Sequence, residues 1–218
     1  MVCDIAGFLP LRVLNISSTS STIIHRLVCE TGLAIVGYFY IDFREPAKQE
    51  ARGLLSSLLA QLCTQSKRFY DILSALHATH DHGRKEPSET QLAKSLRDML
   101  EDRGLAPVFI VIDALDECPF SRDILTPRAQ VLDILKALAE LRLPHLHFCI
   151  TSRPEIDIRR VLDPLEPYSL SLHEQEGQIE DIIKYVKSVV ISDVTMRDWP
   201  KDVKRLVIDT LAKKGDGM

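Results

Sequence analysis

The chain has 218 residues, of which 45% are hydrophobic and 27% are charged, the composition of an ordinary globular protein with one core. The formal net charge of −4 and the pI near 6.0 provide no basic surface, so electrostatic binding to nucleic acid or to an anionic membrane is disfavoured. The chain has five cysteines, an odd number that cannot all pair within it, and none is in C-x-x-C spacing. This favours a reducing, cytoplasmic compartment.

No apolar run has the length of a membrane-spanning helix. The longest, from Gly32 to Ile41, is about half of the ~20 residues that such a helix needs. Asp4, Pro10 and Arg12 interrupt the apolar residues of the N-terminus, which argues against a secretory signal. The sequence therefore predicts a cytoplasmic protein with no membrane partner.

Four short apolar runs, rich in β-branched and aromatic residues, predict the strands of a parallel sheet. Longer segments with helical periodicity separate them, which is typical of an α/β protein. Their nearly continuous hydrophobicity indicates strands covered on both faces. The runs are Leu33 to Phe43, Val108 to Asp113, Leu146 to Thr151 and a weaker one from Tyr168 to Leu172.

Apolar stripes at helical spacing predict helices in two parts of the chain. Between the first two strands, one stripe runs from Ala51 to Leu62 and another from Phe69 to Leu76. From about Glu174 onward only helical patterns remain, from Ile179 to Val186 and from Val203 to Leu211. The C-terminal part is therefore expected to be helical.

Capping signals predict where two further helices begin and end. Ser88 with Gln91 forms a capping-box pair, and Gly104 is expected to end that helix. Thr126-Pro127 supplies an N-cap residue and a first-turn proline, and Pro144 is expected to close that helix.

An acidic cluster follows the second predicted strand. Asp113 ends this buried strand at the edge of the sheet where ligands of open α/β sheets bind. A buried carboxylate must be solvated or paired, and Mg²⁺ with its water shell is a suitable partner. Asp116 or Glu117, one turn further on, is placed to polarise a water that attacks a γ-phosphate. A single such acid often only caps a loop, but three together favour a functional site.

The segment Val108-Phe-Ile-Val-Ile-Asp-Ala-Leu-Asp-Glu117 resembles the Walker-B motif of NACHT-domain NTPases, signalling ATPases of the STAND class related to AAA+ proteins. Other segments are similar to fungal NACHT proteins and to the nephrocystin-3-like N-terminal domain, over about residues 21 to 218. They include Tyr38 to Arg44, Leu54 to Gln61, Asp113 to Pro119, Phe148 to Glu155 and Lys214 to Met218.

The resemblance implies a three-layer P-loop NTPase core at residues 1–173 and the beginning of a truncated helical lid at 174–218. In intact relatives, ATP or GTP with Mg²⁺ is expected to switch the core between two states and so control attached domains. The partners that it implies are the nucleotide and other NACHT proteins, in homo- or hetero-oligomers.

The resemblance also implies roles for individual residues. Asp113 is the expected Mg²⁺ ligand, and Asp116 and Glu117 are the catalytic candidates. Ser152 and Arg153 follow the next strand, at a sensor-1 position that reads the γ-phosphate. Arginine suits this task because its planar guanidinium makes fork-like hydrogen bonds to phosphate oxygens.

The phosphate-binding Walker-A motif of the family, G-x-x-x-x-G-K-[ST], does not occur in the sequence. Its glycines let backbone N–H groups surround the β-phosphate, and its lysine neutralises charge. Arg12 to Ser21, leading into a helix from Thr22 to Cys29, imitates the order of strand, loop and helix without glycine or lysine. Residues 1–20 are therefore atypical, as a truncated or mis-spliced gene or a degenerate paralogue would make them.

These observations favour a fragment or degenerate member of a NACHT-type signalling NTPase that is itself expected to bind MgATP weakly or not at all. The alternative is a catalytically inactive interaction module that associates with full-length NACHT proteins. A metal-dependent hydrolase built on the acidic cluster alone lacks the further ligands it would need.

Two further expectations concern stability and a histidine-rich passage. Leu11 to Ile16 is a poor central strand and the last helices end without covering partners, so we expect marginal stability and self-association. His77, His80, Asp81 and His82 have the types of metal ligands but lie in a polar passage, which favours a solvated loop.

Overall fold

The computed structural model describes residues 2–3, 21, 24–25, 34–102, 106–120, 126–165, 178–193, 195–196 and 199–214. The chain divides into two compact units, Met1–Ser169 and Leu170–Met218. The first unit contains a sheet with surrounding helices, which confirms the α/β class. The described part of the second unit is helical.

The sheet of the first unit has four strands. They are β1 (Val2–Cys3), β2 (Ile35–Tyr40), β3 (Val108–Asp113) and β4 (Leu146–Ile150). Their order is β1-β4-β3-β2, in which β2, β3 and β4 are parallel and β1 pairs with β4 in the antiparallel direction. Three predicted strands are thus confirmed. The predicted strands at Tyr168 to Leu172 and Leu11 to Ile16 lie outside the described residues.

Seven helices of at least seven residues lie in the described ranges. In the first unit they are α1 (Ala51–Cys63), α2 (Lys67–Thr79), α3 (Glu89–Leu100), α4 (Pro127–Ala139) and α5 (Ile156–Leu162). In the second unit they are α6 (Gln178–Ser192) and α7 (Lys201–Lys214). Short 3-10 turns occur at Pro46–Lys48, Asp81–Gly83, Leu115–Glu117 and Asp163–Leu165.

The predicted starts of α3 and α4 are confirmed. The Ser88 hydroxyl accepts a hydrogen bond from the Gln91 backbone N–H at 3.3 Å, and the Gln91 side chain accepts one from the Ser88 N–H at 2.8 Å. The Thr126 hydroxyl accepts from the Ala129 N–H at 3.1 Å. These bonds satisfy N–H groups that have no partner within the helix.

The predicted end of α4 is wrong. The helix stops at Ala139, before Pro144, and Arg142, in the turn that follows, adopts a left-handed conformation with φ of 48°. Helix α3 ends at Leu100, whereas Gly104 lies outside the described residues.

The main hydrophobic core lies between α1 and one face of the sheet. Leucines of α1, which packs on β2, share this core with alternate residues of β3, whose Ile110 and Ile112 have no exposed surface. A smaller cluster of Val36, Val111 and Cys149 covers the other face. Burial of each such side chain stabilises the fold by about 1.5–3 kcal/mol, so the strands that carry the acidic cluster are firmly placed.

Helices α6 and α7 of the second unit pack against each other, and Val190 is buried there. Several large apolar side chains of these helices remain exposed. Among the described helices, none combines the length and the apolar character needed to cross a membrane.

Candidate functional site

The carboxyl ends of β3 and β4 bring Asp113 and Thr151 together. Strand β3 ends at Asp113, and Thr151 directly follows β4, whose residues pair in parallel register with those of β3. Both side chains are almost fully enclosed, with 6% and 1% of their residue surfaces exposed. A buried carboxylate requires polar partners, and Thr151 is one of them.

The Thr151 hydroxyl forms two hydrogen bonds in opposite senses. It donates to Oδ1 of Asp113 at 2.5 Å and accepts from the Ala114 backbone N–H at 2.9 Å. The Thr151 carbonyl also accepts from the Leu115 N–H at 2.9 Å. Thr151 therefore fixes both the Asp113 carboxylate and the backbone that follows it.

Ala114 reverses the chain immediately after the strand. Its φ of 57° and ψ of 49° place it in the left-handed region, which costs a residue with a Cβ atom about 1–2 kcal/mol. The 3-10 turn Leu115–Glu117 follows, with Leu115 fully buried as its anchor. This turn keeps Asp116 and Glu117 at the same edge of the sheet as Asp113.

Asp116 is paired with Arg153. Its Oδ1 accepts from the Arg153 backbone N–H at 3.0 Å, and its Oδ2 lies 3.3 Å from Nε of the Arg153 side chain. The Asp116 side chain is 12% exposed and that of Arg153 is 82% exposed. Ser152 lies beside them and donates its hydroxyl to the carbonyl of Arg153 at 2.8 Å.

Glu117 faces the loop that follows β2. Its Oε2 accepts from the Phe43 backbone N–H at 3.2 Å. In the same loop, Arg44 makes hydrogen bonds of 2.9 and 2.8 Å to the Asp42 carboxylate, and these bonds lower the pKa of Asp42 to about 2. Glu117 thus connects the turn Leu115–Glu117, called the acidic turn below, to the loop that follows β2.

Tyr40, at the end of β2, lies opposite Asp113 in the parallel register. Burial and the neighbouring Asp113 carboxylate both raise the pKa of its hydroxyl. The tyrosine therefore stays protonated at neutral pH.

Arg128 of α4 is a buried residue of the site that sequence reasoning missed. Its Nη2 donates to the carbonyl of Asp116 at 2.6 Å, and its Nε donates to the carbonyl of Cys118 at 2.9 Å. Its Nη1 lies 3.2 Å from the Asp157 carboxylate at the start of α5. One guanidinium therefore joins the acidic turn to the helix that follows Arg153.

A signal for Arg128 was present in the sequence. It precedes Val131, Leu132 and Leu135 at helical spacing, so the apolar stripe of α4 already places it on the buried face. A charged residue on such a face needs partners.

Cys118, at the end of the acidic turn, is a structural thiol. Its Sγ donates to the carbonyl of Gln49 at 2.9 Å, and burial raises its pKa to about 11. It is therefore neither a ready nucleophile nor a ready metal ligand.

The structure brings all five predicted site residues to the end of the sheet at which the parallel strands have their carboxyl termini, called the acidic edge below. They are Asp113, Asp116, Glu117, Ser152 and Arg153. Their assigned roles stay predictions. Within the described ranges, no three His, Cys, Asp or Glu side chains are grouped as a metal site would require. The segment that imitates a phosphate loop, residues 12–20, lies outside those ranges.

The histidine-rich passage has polar partners of its own. The ring of His80 lies 2.8 Å from the carbonyl of Leu76 and 3.1 Å from Oε1 of Gln91. The rings of His77 and His82 meet edge to face, with centroids 5.8 Å apart.

A family model described as nephrocystin 3, N-terminal, matches residues 17–153. The matched range contains β2, β3 and β4 and the residues of the acidic edge up to Arg153. No curated protein and no solved structure matches the chain.

Proposed function

The chain belongs to the nephrocystin 3 N-terminal family, and from this premise we propose that it carries the Walker-B half of a NACHT-type P-loop NTPase. In intact relatives such a core acts as a nucleotide-dependent switch that drives attached domains. In this proposal the chain is a form of that switch whose sequence lacks a G-x-x-x-x-G-K-[ST] motif. The arrangement of Asp113 and Thr151 at the ends of two buried parallel strands is the observation that carries the proposal.

The donor atoms of this edge suit Mg²⁺. The ion prefers oxygen ligands and is usually held by one or two carboxylates together with waters and substrate phosphates, so a complete cage of protein ligands is not needed. Asp113 supplies a carboxylate that Thr151 holds in place. When bound there, Mg²⁺ would neutralise charge on the phosphates of ATP or GTP.

The remaining residues have separate tasks in this proposal. Glu117 or Asp116 orients the attacking water as a general base. Arg153, with Ser152, contacts the γ-phosphate, and for this its guanidinium exchanges the Asp116 carboxylate for phosphate oxygens. The exposure of the Arg153 side chain supports this role, because the exchange needs no opening of the core.

The sequence lacks a phosphate-binding loop of the G-x-x-x-x-G-K-[ST] type. We therefore expect the 218-residue chain to bind MgATP weakly or not at all. Without a glycine-rich loop and its lysine, three carboxylates face the triphosphate with little compensation. Isothermal titration with MgATP measures this directly. A dissociation constant in the low-micromolar range would contradict the expectation and indicate that Ser17 to Ser21 form a working phosphate loop.

The proposal itself is tested by restoring the missing part. A strand and a G-x-x-x-x-G-K-[ST] loop grafted in frame ahead of Ser21 should give Mg²⁺-dependent nucleotide binding, because the acidic edge is already assembled. The matched control is the same graft with its lysine replaced by alanine. If the grafted chain folds but binds nucleotide no better than this control, the proposal is wrong.

A second candidate is a catalytically inactive interaction module that associates with full-length NACHT proteins. The exposed large apolar side chains of α6 and α7 favour it, since such side chains can contribute to an interaction surface. Co-purification with a full-length NACHT protein, lost on substitution of Ile191 and Leu206 by serine, would support this candidate over the first.

A further inference from the structure

Strand β2 forms one end of the sheet, and no described strand lies on its outer side. On its inner side, the backbone N–H groups of Ile35 and Ile41 donate to Pro107 and Asp113. Because successive residues of a strand point their backbone groups to opposite sides, those of Val36 and Tyr38 point outward. An edge of this kind offers unpaired donors and acceptors to any other strand.

Two glutamine side chains form hydrogen bonds with these outward backbone groups. Oε1 of Gln65 accepts from the Val36 N–H at 2.9 Å, and its Nε2 donates to the Val36 carbonyl at 2.7 Å. Oε1 of Gln61 accepts from the Tyr38 N–H at 3.0 Å, and its Nε2 donates to the Tyr38 carbonyl at 2.8 Å. Each carboxamide thus bonds to both backbone groups of one residue, as the N–H and C=O groups of a single residue in an antiparallel neighbouring strand would.

The spacing of the two glutamines matches the spacing of the strand. They are four residues apart, Gln61 on α1 and Gln65 just after its end, and they serve strand residues two apart. Gln61 also donates to the Ser57 hydroxyl at 2.9 Å, and Gln65 donates to the Gln61 carbonyl at 3.1 Å. These additional bonds fix the orientation of both carboxamides.

Gly37, between the two bonded strand residues, lets α1 approach closely enough for this contact. A Cβ atom at Gly37 would lie 3.0 Å from Cδ2 of Leu58 and 3.5 Å from Cδ2 of Leu62. Both leucines are buried in the core and hold the helix in place. The edge is therefore covered as a consequence of how α1 packs on β2.

The sequence of β2 makes such cover important. Ile-Val-Gly-Tyr-Phe-Tyr has no charge and no proline, the two features that usually discourage pairing at a sheet edge. Its β-branched and aromatic residues favour strand pairing. A second copy of β2 is the partner for this edge, because an antiparallel pair of identical edges satisfies two-fold symmetry.

We propose that Gln61 and Gln65 close the outer edge of β2 and thereby prevent the chain from pairing with a second copy through this strand. The two carboxamides act as a substitute strand that cannot extend further. Loss of both exposes four backbone groups that a second copy of β2 can bond.

The first test removes both carboxamides. Light scattering coupled to size exclusion should show that the Gln61→Ala/Gln65→Ala chain has twice the mass of the unmodified chain. The matched control, Gln130→Ala on α4, should keep the mass of the unmodified chain. A folded double variant with unchanged mass would overturn the proposal.

The second test shows whether any association uses this edge. Adding Tyr38→Pro to the double variant removes an outward N–H while leaving the bonds to β3 intact, because those belong to alternate residues. The triple variant should return to the mass of the unmodified chain. If it remains associated as the double variant does, the association has another cause and the proposal is wrong.

A third measurement needs no variant and therefore does not depend on the double variant folding. In the unmodified chain, amide hydrogen exchange at Val36 and Tyr38 should be slowed to the level of the inner residues of β2. Exchange at the rate of an unprotected amide at these two residues would refute the closed edge.

Discussion

Single carboxylates of the acidic edge differ in burial and partners, and this difference predicts different effects of substitution. In the chain with a restored phosphate loop, Asp113→Asn should weaken Mg²⁺-dependent nucleotide binding, because Asp113 lies at the strand end that we propose to hold the metal. Glu117→Gln should mainly slow hydrolysis, by about 100-fold or more if it is the general base, and leave binding near that of the parent. Titration and turnover measurements on both variants separate the two effects.

Equal loss of nucleotide binding in both variants would contradict this division of roles. Asp116 serves as the comparison, because its carboxylate is already bonded to Arg153. If Asp116→Asn slows hydrolysis while Glu117→Gln does not, the general base is Asp116.

Arg128 has a structural role in the site, since it bonds to the acidic turn and to α5. We expect its substitution to destabilise the fold around the site. Arg128→Gln leaves the carbonyls of Asp116 and Cys118 and the Asp157 carboxylate without their shared donor. Breaking a buried pair by removing one partner costs about 3–5 kcal/mol, and the partial exposure of Asp157 places the expected loss near the lower end. Urea unfolding of the unmodified and substituted chains measures it.

The matched control for Arg128 is Arg159→Gln. Arg159 pairs with Asp163 within one exposed helical segment, and such pairs contribute about 0.5 kcal/mol or less. Similar losses for both arginines would show that Arg128 does not hold the acidic turn.

At the scale of elements, the contact between α1 and the preceding 3-10 turn predicts an unusual effect at Gly53. In an open helix interior, Gly→Ala stabilises by about 1 kcal/mol. Here a Cβ atom on Gly53 would lie 1.9 Å from the carbonyl oxygen of Ala47, so backbone must move to admit it. We expect Gly53→Ala to destabilise the chain by roughly 2 kcal/mol, as overpacking commonly does.

Ser56→Ala provides the control in the same helix. Ser56 is exposed, and alanine there should slightly raise the midpoint of thermal unfolding through its better helix propensity. A Gly53→Ala chain that melts at or above the unmodified temperature would show that the turn adjusts without cost.

Elements with local signals were predictable from the sequence, whereas their ends and long-range contacts were not. The caps at Ser88 and Thr126 involve residues three apart, so the sequence alone contains both partners. The end of α4 depends on a left-handed Arg142, a conformation that arginine gives no reason to expect.

The same distinction applies to the candidate site. The strand-end acids Asp113, Asp116 and Glu117 could be read from one continuous motif. The bonds of Thr151 to Asp113 and of Gln61 to Tyr38 join residues 38 and 23 positions apart, and only the parallel sheet brings them together. Periodicity predicts which face is buried but does not identify the partner across the fold.

At the scale of the whole molecule, the exposed apolar residues of the second unit predict self-association. Tyr185, Ile191 and Leu206 are 65%, 69% and 66% exposed. Several exposed large apolar residues on one pair of packed helices favour association more than a single such residue does. Substitution of Ile191 and Leu206 by serine should therefore lower the mean mass of the unmodified chain in light scattering.

The control for this prediction is Tyr70→Ser on α2 of the first unit. Tyr70 is 60% exposed, comparable to the residues of the second unit. If Tyr70→Ser lowers the mean mass as much as the substitution of Ile191 and Leu206 does, association depends on overall surface hydrophobicity and not on the second unit. A chain that is monomeric without any substitution would contradict the prediction outright.

The double hydrogen bond of Thr151 restricts what evolution can place at that position. The side chain at position 151 must donate to the Asp113 carboxylate and accept from the Ala114 N–H. A single buried hydroxyl group makes both bonds. Valine has the shape but neither function, and the carboxamide of asparagine is larger than the hydroxyl that fits there. Related chains that retain the acidic edge should therefore vary between threonine and serine alone at position 151, whereas the buried apolar residues of β3 and β4 should exchange among apolar types.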